Sequence, residues 1–380
     1  MQRPLSHPIP LASDGADFPE ALRAEAIGLL ERSDGQRMVA ELLVQAAATG
    51  QPLELLAEAA IALRGAYPMD RAVWGATDDL VYSQVPKWHW SMLRDRERSR
   101  AYRRAIEMCV QPGMLVLEIG TGTGILAMMA ARVGAGHVYT VEANPLLAKI
   151  AEQCVAQNGL SDRITVLAKH STEIRIGQDI PHRCDLLVHE ILSSTVLGEG
   201  LAPTLHHAIA HLLVPDAPLL PEFIGIEAVL SGDMTETDTP WWSVESFDLA
   251  PLALLDAASH GIPGKAPRKR LSNPVGVAEI NLRGPDLMQS RCFTGPLEAS
   301  KNGIVAGVEQ WMKVCFPGGV TLSSDDPDSH WGTSYHPFGA SRDVTPGEKL
   351  EIEVVVDSRT VSIVLSPMLS TPAPGWTTGI

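Results

Sequence analysis

Apolar positions along this chain follow three rhythms, and each predicts a different kind of element. Over residues 19–65 the apolar side chains Leu22, Ala26, Leu29 and Leu30, then Leu42 and Leu43, then Leu53, Leu56 and Leu63 recur at helical steps, while Gly35, Gly50 and Pro52 interrupt them. Three short amphipathic helices are expected there. They suit an accessory layer, with a cap over an active site or a dimer contact as the alternative. Residues 82–106 mix aromatic and charged side chains, and from Ser91 onward helical steps place Met92, Asp95, Arg98 and Tyr102 near one face. A surface helix laced with ion pairs has the same pattern. The second rhythm begins at 115. Strand-type runs at 115–118, 138–141, 164–167 and 185–188 alternate with helical patterns from Ile125 and over 146–157, the latter opened by Asn144 and Pro145 and closed by Asn158 and Gly159. Strands alternating with helices predict a parallel, doubly wound α/β sheet with its ligand at the carboxyl ends of the strands. Pro215, Pro218 and Pro221 mark a boundary, and from Ile224 the third rhythm is that of β-structure with long loops. Residues 350–356 and 361–365 read as antiparallel strands.

The candidate chemistry starts in the stretch L-V-L-E-I-G-T-G-T-G-I-L, residues 115–126. It reads as strand, tight turn and helix start, with Gly120, Gly122 and Gly124 letting the backbone approach a ligand at the positive end of a helix. A dinucleotide turn has the spacing G-x-G-x-x-G. Here the spacing is G-x-G-x-G, and Glu118 stands two residues before the first glycine. A carboxylate at the turn suits a ligand carrying an ammonium, as S-adenosylmethionine does. Glu142 closes the next strand where a bidentate carboxylate would hold a ribose diol. A dinucleotide, or a glycine-rich turn without a ligand, remains the alternative at this point.

Composition narrows the field modestly. The chain has 380 residues, room for two or three compact units, with 45% hydrophobic and 20% charged residues, as in ordinary soluble proteins. Its net charge of −15 disfavours a nucleic acid partner and favours a cationic substrate. The start lacks a signal-peptide pattern and no apolar run reaches the ~20 residues a bilayer requires, so no membrane partner is expected. The five cysteines show no CxxC spacing, which argues against a metal site or a disulfide framework and for a cytoplasmic protein with reduced thiols.

After the strand at 185–188 comes H-E-I-L-S-S-T-V-L-G-E-G, which places Glu190 and Glu199 at the carboxyl edge of the sheet. A guanidinium offers several N–H donors to two carboxylates at once. A general acid/base couple or a metal site would also use paired acids. At this point the chain resembles the protein arginine methyltransferase family. The double-glutamate loop is matched by Glu190 and Glu199, the cofactor helix by H-W-S-M-L-R-D-R-E-R, and the late threonine-histidine-tryptophan loop by Ser329, His330 and Trp331.

The resemblance implies a Rossmann-like S-adenosylmethionine-dependent domain followed by a β-barrel-like domain, with an N-terminal helical extension. The expected divisions are 1–75, 76–218 and 219–380, with a dimerisation-arm-like insertion at about 235–274 that holds Trp241, Trp242, Arg268, Lys269 and Arg270. It implies that His89, Met92 and Arg98 line the cofactor pocket, with Arg98 on the methionine carboxylate, joined by Glu118, Gly120, Gly122, Glu142, Ser171 and Thr172. Glu190 and Glu199 would grip the substrate, with Tyr82 and Trp331 beside it, and Asp95 would pair with His330 as part of the catalytic set. Two departures refine this. The segment D-D-L-V-Y-S-Q-V-P-K retains only Tyr82 of the tyrosines that dimethylating members carry, and I-L-S-S-T-V-L-G lacks their bulky methionines and aromatics. In H-S-T-E-I and L-G-E-G-L the chain looks like the monomethylating branch, and its extra N-terminal helices and alanine-rich composition make it resemble the bacterial enzymes that methylate free L-arginine in streptozotocin-type pathways. A cytoplasmic homodimer is implied. A methyltransferase acting on arginine in polypeptides, and a scaffold without turnover, are the alternatives.

Overall fold

The computed structural model describes residues 20–232, 243–245, 247–248, 259–262, 269–285, 287–365 and 377–379. The described residues fall into two compact units: those up to Trp90 with Asn144–Ile150, and Ser91–Ala143 with those from Ala151 onward.

The first unit is helical. Helices α1 (Glu20–Leu30), α2 (Gly35–Ala48) and α3 (Leu53–Ala66) occupy the stretch where three were expected, and α4 (Arg71–Gln84) adds a fourth. Val39, Leu43, Leu56, Leu63, Val73 and Leu80 make its core, together with Leu146 and Leu147 from the first turn of α8 (Pro145–Gln157). Burying each such side chain contributes roughly 1.5–3 kcal/mol. Asp70 caps α4 by accepting from Ala72 N and Val73 N. Asn144 caps α8 through Leu146 N and Leu147 N, at 3.0 and 3.1 Å, as its position before Pro145 suggested. Tyr82 lies on α4, its ring edge-on to Trp90 and under the Lys87 ammonium, 4.4 Å away. His89, on α5 (Trp88–Arg94), is buried, with Nδ1 at 2.9 Å from the Pro86 carbonyl.

The single helix expected from Ser91 through Tyr102 is two. α5 stops at Arg94, and α6 (Arg96–Cys109) starts afresh. Asp95 sits between them in an extended conformation, and its carboxylate accepts from Arg98 N at 2.8 Å. Aspartate competes with the helix for backbone donors, so it ends one helix by capping the next.

The second unit holds the parallel sheet, formed by β1 (Leu115–Ile119), β2 (His137–Glu142), β3 (Ile164–Ala168), β4 (Leu186–His189) and β5 (Leu219–Leu220), in the order β3-β2-β1-β4-β5. β1, β3, β4 and β5 are mostly apolar, as in a sheet whose faces are both covered, whereas β2 alternates apolar and polar residues. α7 (Ile125–Val133) follows β1, and α9 (Leu201–His207), continued by one π-turn, follows β4. The strand order reverses between β1 and β4, so the loops after these two strands flank the ligand crevice of an open α/β sheet.

The same unit carries the antiparallel part. Strands β6 (Phe223–Ser231), β9 (His260–Ile262), β10 (Val275–Asn281), β12 (Gly303–Cys315), β13 (Thr321–Ser323) and β14 (Thr333–Val344) form one sheet. Strands β11 (Arg291–Glu298), β15 (Lys349–Val356), β16 (Val361–Leu365) and β17 (Thr377–Gly379) form another, and β7 (Ser243–Val244) with β8 (Phe247–Asp248) is a small hairpin. β15 and β16 pair antiparallel as their alternation predicted. One hydrophobic core runs through this unit, from Leu117, Leu187 and Leu220 to Ile224, Ile226, Met312 and Ile352. Trp241, Trp242 and Arg268 of the expected dimerisation arm lie outside the described residues, whereas Lys269 and Arg270 lie within them. Among the described residues no helix is long and apolar enough to cross a membrane.

Candidate active site

The loop after β1 is built around an acid that burial makes unusual. Register sets Glu118 beside Thr140, whose hydroxyl donates to Oε2 at 2.5 Å. Glu118 is 1% exposed, and burial pushes its pKa up to about 8 against the pull of that hydrogen bond. Its Oε1 is buried without a partner. Gly120 turns the chain with φ +87°, and a Cβ there would lie 3.0 Å from the Ile191 side chain, so the turn and the loop after β4 touch. Gly122 N donates to Glu142 Oε2 at 2.9 Å, fastening the glycine loop to the end of β2. Ser171 and Thr172 stand after β3 in a short 3-10 turn capped by His170, Ser171 buried and Thr172 exposed.

The loop after β4 meets α6 at a buried ion pair. Arg98, 1% exposed, donates through Nε to Glu190 Oε1 at 2.7 Å and pairs through Nη2 with Oε2. Its Nη1 is buried with no partner. Burial lowers the Arg98 pKa, while Tyr102, Asp95 and Glu118 oppose that shift. Arg98 was expected on a ligand carboxylate; two of its three nitrogens hold Glu190 instead, and one is left over. The orphan donor at Arg98 Nη1, the orphan acceptor at Glu118 Oε1 and the unpartnered hydroxyl of Thr123 match the carboxylate and ammonium of an amino-acid moiety. An S-adenosylmethionine bound here would satisfy all three.

Asp95 does two jobs. One carboxylate oxygen caps α6, and the other takes His330 N at 3.2 Å and His330 Nδ1 at 3.0 Å. Burial pushes the Asp95 pKa up, but the bonds from His330 and Arg98 N outweigh it and hold the carboxyl below its ordinary value. An ionised Asp95 keeps the proton on Nδ1, so Nε2 faces Glu190 Oε1, 4.0 Å away. Trp331 is buried, and its indole donates to the Leu192 carbonyl at 3.2 Å while Ser194 Oγ donates to the Trp331 carbonyl at 2.8 Å. The histidine-tryptophan loop and the acid loop are thus tied together.

The far end of the acid loop is tightly wound. Val196 N closes a turn on Ser193 O at 2.8 Å, with Val196 at φ +73° and Glu199 at φ +59°, both uncommon for residues with a Cβ. Gly198 is required by crowding, since a Cβ there would fall 2.2 Å from Ser193 Oγ. Glu199 is exposed, yet desolvation by the surrounding chain, and then the charge of Glu142, raise its pKa. Before the loop, His189 is fully buried with Nε2 on the Pro221 carbonyl at 3.1 Å; burial lowers its pKa to about 4, and it is neutral. Tyr102 donates its hydroxyl to the His189 carbonyl at 2.9 Å, which fixes the loop's entry to α6.

Asp95, Arg98, Glu190, His330 and Trp331 are therefore brought together directly, and Glu118 senses Arg98. Met92 lies near Gly122, its methyl 3.9 Å from where a Cβ would stand. His89 and Tyr82 belong to the helical unit described above. Sequence reasoning missed Arg98 as the partner of Glu190 and Ser194 as the tie to Trp331. These partners stand 92 and 137 residues apart, and no local pattern signals them.

The family described as Ribosomal protein L11 methyltransferase (PrmA) matches residues 103–214. An Arginine N(omega)-methyltransferase of Streptomyces achromogenes subsp. streptozoticus is 35% identical over 315 residues, covering 80% of this chain and 86% of that protein. A Protein arginine N-methyltransferase 7 of Oryza sativa subsp. indica is 40% identical over 159 residues, 40% of this chain but only 22% of that much longer protein. Among solved structures, the Trypanosoma brucei PRMT1 enzyme-prozyme heterotetrameric complex with AdoHcy superposes with a TM-score of 0.63 at 23% identity, covering 72% of this chain and 90% of that one.

Proposed function

We propose, from the premise that this chain belongs to the arginine N-methyltransferase family and works with S-adenosylmethionine, that it transfers one methyl group to a terminal guanidine nitrogen of free L-arginine, giving Nω-methyl-L-arginine. The observation that carries the reaction is the buried cluster of Asp95, His330, Arg98 and Glu190 at the sheet's switch point, with Glu199 at the other end of the same loop. The free amino acid as substrate is supported by the relative named Arginine N(omega)-methyltransferase, which the chain matches over most of both lengths. Arginine in a polypeptide is the second reading, favoured by the 40% identity over 159 residues to a protein arginine N-methyltransferase. The resemblance also supports a homodimer in the cytoplasm acting in natural-product biosynthesis.

S-adenosylmethionine supplies a methyl group already activated on a sulfonium. Arg98 Nη1, Thr123 Oγ1 and Glu118 Oε1 would hold its amino-acid end, and Glu142 its ribose. Glu190, oriented by Arg98, and Glu199 would hold the guanidinium of the substrate. Carboxylates draw positive charge onto the nitrogens they bind, leaving the remaining nitrogen with more lone-pair character. Alignment then supplies much of the rate. Methylation releases one proton from the guanidinium, and Glu190 with His330 Nε2 behind it is placed to accept it.

Labelled S-adenosylmethionine, incubated with the protein and either L-arginine or an arginine-rich peptide, separates the readings. Label is expected in L-arginine, in the monomethyl product. Label in the peptide alone would establish the second reading, and label in neither would favour a scaffold. His330→Gln is expected to lower turnover about 10²-fold or more. Unchanged turnover in that variant would remove His330 from proton transfer.

A further inference from the structure

Outside this cluster the structure contains a guanidinium held by two carboxylates, and it belongs to the protein itself. Arg270 donates through Nε and Nη2 to Glu309 Oε2 and Oε1, both at 2.8 Å, and through Nη1 to Asp325 Oδ2 at 2.8 Å, with Nη2 also on Oδ1. Its plane lies over Trp311 at 4.6 Å, and the Trp311 indole is fixed by Glu227 at 2.8 Å. Glu309 is fully buried and also accepts from Thr333 Oγ1 at 2.9 Å. Asp325 stands just past the end of β13, and Thr333 begins β14. Between them runs the loop that carries His330 and Trp331.

We infer that Arg270 is a positioning residue for methyl transfer: by gripping Asp325 at one end and, through Glu309, Thr333 at the other, it sets the span of the loop that presents His330 to Asp95 and Glu190. The inference rests on the function proposed above. The grip needs a planar fork, since one guanidinium serves two carboxylates in two directions, and an ammonium of the same charge does not. Arg270 is itself anchored in the sheet: its backbone bridges Ser231, and Leu271 N donates to Leu230 O at 2.8 Å. The fork therefore has a fixed origin.

The test compares Arg270→Lys, Asp325→Asn, their double variant and the nearly isosteric Thr333→Val. Amide hydrogen exchange is expected to quicken in residues 324–332 while the parallel sheet stays protected. Turnover of whichever guanidine acceptor takes label is expected to fall about tenfold or more, with S-adenosylmethionine affinity held within twofold. The double variant should match the worse single one, because both remove one interaction. Wild-type turnover in Arg270→Lys, unchanged exchange in 324–332, or losses shared equally with cofactor affinity and thermal stability would overturn the inference. If the unmodified protein labels neither acceptor, the methylation reading fails by itself, and exchange in 324–332 still decides whether Arg270 sets the loop.

Discussion

Glu190→Gln is expected to lower turnover by about 10³-fold and to destabilise the fold, whereas Glu199→Gln is expected to lower turnover as far and to leave stability almost unchanged. The contrast follows from what each carboxylate touches. Glu190 is the buried counter-charge of Arg98, and removing one partner of a buried pair typically costs about 3–5 kcal/mol because the other charge is left uncompensated. Glu199 is exposed, and exposed substitutions away from special features usually stay within about 0.5 kcal/mol. Loss of one charged group that aligns and polarises the reacting nitrogen costs on the order of 10²–10³ in rate. Denaturant unfolding and turnover at saturating L-arginine check the two quantities separately. Normal turnover in either variant would remove that carboxylate from the mechanism, and equal destabilisation in both would contradict the asymmetry of the loop.

The second large effect is a pH dependence of cofactor affinity. Glu118, with its pKa near 8, is mostly protonated at neutral pH, and an ammonium requires the ionised form. The sign follows directly: as pH falls below 8 the competent fraction shrinks, so affinity drops about tenfold per pH unit and binding releases close to one proton. Above about 8 the rise stops, because the ligand's own α-amino group then loses its proton. Calorimetry in buffers of different ionisation heat counts the protons. Glu118→Gln should bind more weakly at pH 8 and lose the slope; a slope that persists in that variant would place the titrating group elsewhere.

Legibility in the sequence tracked distance along the chain. The strand, glycine turn and helix at 115–126 were readable because each rests on neighbours within a few residues, and the parallel order follows from alternating strands and helices. Helix α4 was not seen, although Asp70 and the spacing of Val73, Thr77, Leu80 and Val81 carried its signature; its outward face is too mixed in polarity to stand out. The break at Asp95 was hidden for another reason. Helical spacing runs straight through it, and only its carboxylate bonds decide that it caps rather than continues. At the site, residue types could be named from motifs, but pairing could not: that Arg98 would turn two nitrogens to Glu190, or that Arg270 would reach both Glu309 and Asp325, depends on the register of distant strands.

The core shared by Leu213, Leu219, Ile224, Ile226 and Met312 joins the cofactor sheet to the antiparallel sheets. The two parts consequently depend on each other for burial. Grafting a foreign barrel onto this nucleotide fold, or cutting between them at Pro221, would lay bare a broad greasy surface and favour aggregation. Engineering of acceptor preference is better directed at side chains lining the loops than at exchange of whole modules.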